Sequence, residues 1–216
     1  TVPIPAKGHT VVKDVAVAPT VFADGKTEGS HCSVCGTVIE KQNTIAKVPA
    51  TIYLTASSLK MKTGQSTTAF KATGFSEGDY VTAVTSNKPG TVKVTNVNKN
   101  GTFKLTAGKK KGSAVVTVTL ASKKTASFKV TVQKAAVKTT KITTSTKSLT
   151  LAKGATYKKL ASSITVAPVT SKEKVTYSSS NKKVATVSSK GVIKAKKAGT
   201  AKITVKSGKK KVVVTV

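Results

Sequence analysis

The residues with the most chemistry in this 216-residue chain lie near its N-terminal end. Cys32-Ser33-Val34-Cys35-Gly36 is a CxxC turn preceded by His31, and His9 stands upstream. Thiolate and imidazole are the usual zinc ligands, and a two-residue gap lets both sulfurs reach one tetrahedral ion. Cys32 and Cys35 are therefore candidate metal ligands and His9 a third, while the fourth ligand of a closed structural site is missing. Two other readings stay open. One is a local Cys32–Cys35 disulfide or a pair of free thiols, the plainest outcome. The other is a redox dithiol, whose usual strand–helix setting has no support here.

The remaining polar constellations offer less. Glu77 and Asp79 form a close carboxylate pair in Ser76-Glu77-Gly78-Asp79. Calcium takes six to eight oxygens and no ligand string follows, so a solvated turn is the expectation. His9 and His31 are the only histidines, and a Ser-His-Asp arrangement would have to cross the chain without a supporting motif. No catalytic residue is assigned, and the chain is read as a non-enzyme with no cofactor other than the zinc considered above.

The elements that must position these residues are strands. Apolar residues make up 38% of the chain but aromatics only 4%, so a core must be built mainly from Val, Ile, Leu and Ala. Threonine, valine, lysine and serine dominate, and β-branched residues fit a pleated, half-buried surface. Two cysteines cannot frame a disulfide scaffold. No apolar run approaches the ~18–20 residues of a membrane-spanning helix, and no heptad pattern suggests a coiled coil. The chain opens at Thr1 without a leader, which reads as a fragment or processed form whose targeting signals lie elsewhere.

Charge is distributed unevenly. All 38 basic residues are lysine, against 7 acids, for a net charge of +31. Residues 1–79 are nearly balanced, whereas beyond them the sole acid is Glu173. Such a field attracts polyanions in a salt-dependent way. Sequence-specific nucleic-acid binding is not expected, because arginine is absent and the few aromatics occupy apolar strand positions. The lysines alternate with apolar positions, as in Phe128-Lys129-Val130-Thr131-Val132, the pattern of solvated strand faces.

An internal repeat organises the rest. Ser58-Leu59-Lys60-Met61-Lys62-Thr63-Gly64 pairs with Ser148-Leu149-Thr150-Leu151-Ala152-Lys153-Gly154, and Ser86-Asn87-Lys88 with Ser180-Asn181-Lys182. Gly101-Thr102-Phe103-Lys104 pairs with Gly191-Val192-Ile193-Lys194, and Gly112 to Val118 with Gly199 to Val205. Both copies contain a late Val-Thr-Val, at 130–132 and 214–216. In Thr102-Phe103-Lys104-Leu105-Thr106 the alternation points Phe103 and Leu105 inward, and Val212, Val214 and Val216 share one face. Gly101 and Gly191 sit where hairpins need positive φ. About seven short strands per copy imply antiparallel sandwiches, with residues 133–140 as a short linker.

On these residues the second copy resembles the bacterial immunoglobulin-like domain, group 2. The resemblance rests on Val175 to Val187 (VTYSSSNKKVATV), Lys190 to Ala195 (KGVIKA) and Gly199 to Val205 (GTAKITV), and covers about residues 141–216. Residues 51–133 resemble the family more weakly, since Pro89-Gly90 interrupts the segment corresponding to Val-Ala-Thr-Val. Residues 1–50 resemble short Cys-containing repeats on surface proteins of Gram-positive gut anaerobes, through Gly8-His9, Ala18-Pro19-Thr20 and Thr27 to Gly36. Val21 stands where that pattern places its first cysteine, and Ile4 to His9 looks like the tail of a preceding copy.

The implied architecture is all-β: a small Cys-containing β/loop module at 1–50 and two tandem Ig-like antiparallel β-sandwiches at 51–133 and 134–216. The resemblance implies an extracellular, cell-surface or cell-wall protein without catalytic residues, a tandem spacer or adhesive module as in invasin- and intimin-like adhesins. The implied partner is a host or cell-wall surface ligand. Alternatives are capture of anionic wall polymers or acidic glycans by the lysine surface, or an accessory region of a secreted hydrolase. Surface Ig-like domains can also carry Lys–Asn isopeptide crosslinks beside a buried acid, but Asn181 falls in a turn motif and Glu173 in a charged loop.

Overall fold

A computed structural model describes residues 8–216, so Ile4 to Lys7 of the proposed preceding repeat fall outside the described residues. The β-branched composition yields short, almost entirely antiparallel strands, and among the described residues the one helical element is a 3-10 turn at Ala161–Ser163. Among the described residues no helix is long and apolar enough to cross a membrane.

The N-terminal strands are β1 (Val11–Asp14), β2 (Gly25–Lys26), β3 (Gly29–Cys32), β4 (Val38–Glu40) and β5 (Thr44–Ile45). They form a three-stranded sheet in the order β1-β3-β4 and a two-stranded ribbon of β2 with β5. Val11, Val12, Val38 and Ile39 on the outer strands of this sheet are exposed, as are Val15 and Val17 beyond β1, whereas central β3 is mostly buried. Val21, in the loop before β2, and Cys32 are the buried apolar side chains among residues 8–50.

Residues 51–133 carry β6 (Tyr53–Leu54), β7 (Ser58–Lys62), β8 (Ser66–Thr67), β9 (Ala72–Thr73) and β10 (Val81–Ser86). These continue into β11 (Val92–Thr95), β12 (Lys104–Ala107), β13 (Gly112–Leu120) and β14 (Thr125–Gln133). One sheet runs β10-β13-β14-β7 and the facing one β11-β12-β8, with β6 paired to β9. Only β7 runs parallel to its neighbour, β14. Phe70, Phe103 and Phe128 pack together between the sheets, Phe70 stacking on Phe128 with ring centroids 4.0 Å apart. Phe103 and Leu105 point inward, as the alternation requires.

Residues 134–216 carry β15 (Lys141–Thr144), β16 (Thr156–Tyr157), β17 (Ile164–Ala167), β18 (Val175–Ser179), β19 (Ala185–Val187), β20 (Ile193–Ala195), β21 (Lys202–Ser207) and β22 (Lys210–Thr215). The sheets run β18-β21-β22 and β19-β20-β16, with β15 paired to β17. The counterpart of parallel β7 is reduced to one bridge, Ser148 with Thr215. The core holds Ile142, Leu160, Ala185, Ile193, Ala201, Ile203, Val205 and Val214, with no phenylalanine.

Pairing registers correct the repeat alignment in three places. Asn87 and Ser180, not Asn87 and Asn181, occupy the same place: each side chain accepts the N–H of the facing strand, from Val115 at 2.8 Å and Lys202 at 2.9 Å. Leu105 pairs with Thr67 on β8 as Ile193 pairs with Tyr157 on β16, so Ile193 corresponds to Leu105 and Phe103 belongs to a longer hairpin. Val116 faces Ser86 and Phe128, as Ile203 faces Ser179 and Val214. The two Val-Thr-Val segments are thus not equivalent, and Val214 takes the place of Phe128.

The segment expected to be a plain linker is fastened down. Val137 and Thr139 are buried. The Thr139 N–H donates to Glu173 Oε2 at 2.7 Å, and its hydroxyl lies 2.9 Å from Ser171 Oγ and 2.8 Å from Ser207 Oγ. Turn chemistry is weak here because side-chain hydroxyls, not the local backbone, hold the chain.

Candidate metal centre at the N-terminal knuckle

Three of the four N-terminal Cys and His residues converge. Cys32 ends β3, and the Ser33-Val34-Cys35-Gly36 turn folds back into β4. The Cys32 carbonyl accepts the Gly36 N–H and its own N–H donates to the Thr37 carbonyl, both at 2.9 Å. Gly36, at φ +73°, supplies the left-handed residue that closes this knuckle. Because Val11 on β1 faces Cys32, His9, two residues earlier, lies across from the turn. Its Nδ1 is 3.3 Å from Cys35 Sγ, and the ligand atoms of His9, Cys32 and Cys35 all lie within 4.8 Å of one another. Gly8, His9, Thr10, Val34 and both cysteines line the cleft between them, about 320 Å³ in volume.

The cluster favours thiolate. Backbone N–H groups of Cys35 and Val34, followed by the His9 side chain, bring the Cys32 thiol down to about 6. Hydrogen bonding to Cys32 and then Cys35 raises His9 above its ordinary value. Both thiols are free, Cys32 buried and Cys35 exposed, and the Cys35 thiol donates to Thr37 Oγ1 at 3.2 Å. The residues present fit a soft, tetrahedral cation: two sulfurs bound to one zinc at 2.3 Å lie about 3.8 Å apart.

His31 does not join them. Successive strand residues face opposite ways, so His31 leaves the face that carries Cys32. Its Nδ1 lies 2.9 Å from Asp14 Oδ1 instead. Sequence reasoning missed this pair; it becomes visible once Val12 is paired with His31 across β1 and β3, placing Asp14 on the adjacent diagonal. An Asp–His pair could orient a base, but among the described residues no hydroxyl or thiol is hydrogen-bonded to the other ring nitrogen.

The carboxylate pair separates. Glu77 is exposed, whereas Asp79 is buried, which corrects the solvated-turn expectation. Asp79 accepts the Tyr80 N–H at 2.9 Å and, from Ser122, the N–H at 3.2 Å and the hydroxyl at 2.6 Å. With both oxygens engaged it is a clamp on the β13–β14 turn. Glu173 also bonds inside the fold, while the Asn181 side chain accepts the Lys183 N–H at 3.1 Å in its own turn. The acid and amide of the crosslink considered above therefore engage separate partners.

Lysine exposure is general. Lys129, Lys202 and Lys206 alternate with buried neighbours on β14 and β21. Among the described residues no lysine ammonium lies within 4.0 Å of a carboxylate oxygen.

No curated protein matches the chain. Domains 4 and 5 of the S-layer protein SbsC are 20% identical, cover 97% of this chain and 96% of that one, and give a TM-score of 0.32. A structure of SbsC domains 1–6 gives 0.33 at 16% identity; the match covers 97% of this chain but spans only 35% of that one. Mouse protocadherin-24, domains EC1–3, gives 0.29 at 10% identity, covering 95% and 78%. The family described as bacterial Ig-like domain (group 2) matches residues 138–216 of this chain.

Proposed function

We propose that this chain is a non-catalytic part of an extracellular, cell-surface or cell-wall protein, in which 51–133 and 134–216 are tandem Ig-like units serving as an adhesive spacer. The observation that supports this reading is the repetition of one strand order, including the parallel contact of β7 with β14 and of Ser148 with Thr215. A spacer also benefits from a junction that resists bending. Here Gln65 Nε2 donates to the Thr170 carbonyl at 2.7 Å, the Thr170 hydroxyl donates to the Lys60 carbonyl, and Val169 packs on the preceding core. Pulling single chains tests the reading. Two unfolding events are expected, each releasing roughly 25 nm, since ~80 extended residues span about 3.3–3.6 Å each. One event spanning the whole of 51–216 would refute the tandem.

The unpaired lysines support a second reading, capture of anionic wall polymers or acidic glycans by residues 80–216. Binding to purified wall polymer should weaken steeply as salt rises. No binding even at low ionic strength removes this reading and leaves the spacer intact.

A further inference from the structure

We propose that His9 Nδ1, Cys32 Sγ and Cys35 Sγ bind one zinc ion and leave its fourth position to an exchangeable ligand from solvent. Two thiolates and an imidazole suit zinc, which accepts a tetrahedral set without any ligand-field preference. All three ligand atoms already lie within 4.8 Å of one another, and the 3.3 Å between His9 Nδ1 and Cys35 Sγ is close to the edge of a zinc tetrahedron. Little rearrangement is therefore required. The partners around the sulfurs are also in place: Thr37 Oγ1 lies 3.2 Å from Cys35 Sγ, and fixed outer contacts of this kind orient ligands.

The open position follows from what else is within reach. His31 is held by Asp14. Among the described residues no fourth His, Cys, Asp or Glu belongs to the cluster. His9 and Cys35 are exposed, so the ion would sit at the rim of the cleft with water completing its shell. The ion binds both sulfurs as thiolates, and any proton a thiol still holds goes to solvent. Three protein ligands and one open position distinguish this site from a closed zinc knuckle. The proposal is independent of the spacer reading, since it concerns only the N-terminal sheet.

The test uses the whole chain, reduced with a non-chelating phosphine. Zinc content by mass spectrometry should reach one equivalent, and Co²⁺ in its place should show thiolate-to-metal charge transfer. C32S and C35S should abolish that band. H9Q, at an exposed position and so neutral to folding, should weaken affinity roughly tenfold or more. Added imidazole should shift the cobalt d–d bands as it enters the fourth position. Less than a tenth of an equivalent of zinc, or unchanged affinity in H9Q, overturns the site. A cobalt spectrum indifferent to imidazole overturns the open position.

Discussion

Residues 51–133 and 134–216 share a strand order and differ in what fills it. The first region packs three phenylalanines with Leu59, Met61 and a run of valines; the second manages with aliphatics and half-buried Tyr157 and Tyr177. Yet the family match falls on the second, less filled region. The difference shows what a family signature records. The matched segment is rich in turn residues whose backbone restricts the side chain, such as Gly191 and Gly199 at φ +75° and +137°. At Gly191, for instance, that φ strains any other residue, and a Cβ there would press on Tyr177 Cζ at 3.0 Å. Core positions tolerate any side chain that fills the space between sheets.

The largest test of this contrast is at the position the registers equate. Phe128→Ala removes a buried ring stacked on Phe70 and should cost about 3–5 kcal/mol in urea unfolding. Val214→Ala, at the matching place, removes far less apolar surface and should cost about 2 kcal/mol. Equal costs would mean that the two positions are not comparable, or that the cavity left by Phe128 collapses. The next effect concerns Asp79. Asp79→Ala leaves the Ser122 N–H and hydroxyl and the Tyr80 N–H without their acceptor and should cost about 2 kcal/mol. A change within experimental error would show that this turn stands without its clamp.

A third effect is smaller. Val130 and Val132 of β14 cover Leu59 and Met61, all four buried. The corresponding Leu149 and Leu151 are only half-buried, beside a cleft of about 480 Å³ that Val184 also lines. Leu151→Ala should therefore cost about 1 kcal/mol less in urea unfolding than Met61→Ala, because less apolar surface leaves a dry core. Equal costs would mean that the half-buried position contributes as much as its buried counterpart.

Much of this architecture was legible in the residues. Alternation assigned Phe103, Leu105 and Val214 to the core, and Gly101 and Gly191 to hairpins, because period-two burial and positive φ are local properties. CxxC spacing and an upstream histidine named the three side chains that meet at the knuckle. Registers were not legible, since a repeat of serines, lysines and valines aligns nearly as well one or two residues out of place. Val-Thr-Val at 130–132 and 214–216 is the clearest case. Nor was the burial of Asp79 and Thr139, because a short polar residue is stable inside only when distant partners, Ser122 or Ser171 and Ser207, satisfy it.

The finest comparison is between the two acids that guard matching turns. Asp79 precedes β10 and clamps the β13–β14 turn; Glu173 precedes β18 and lies against Gly208 in the β21–β22 turn, where a Cβ would meet its carboxylate. The Thr139 N–H, with help from nearby Lys138, holds Glu173 below its ordinary value of 4.5. A folded value below the unfolded one means that the ionised form favours folding. That contribution is complete above about pH 4.5 and is lost as pH falls through the lower folded value. Thermal midpoints of the native chain should therefore drop in acid more steeply than those of Glu173→Gln, which has no carboxylate there to titrate. Because the amide can still accept the Thr139 N–H, the substitution changes the titration without emptying the position. Parallel pH profiles for the two chains would show that Glu173 braces the turn by packing alone, unlike the hydrogen-bonded clamp of Asp79.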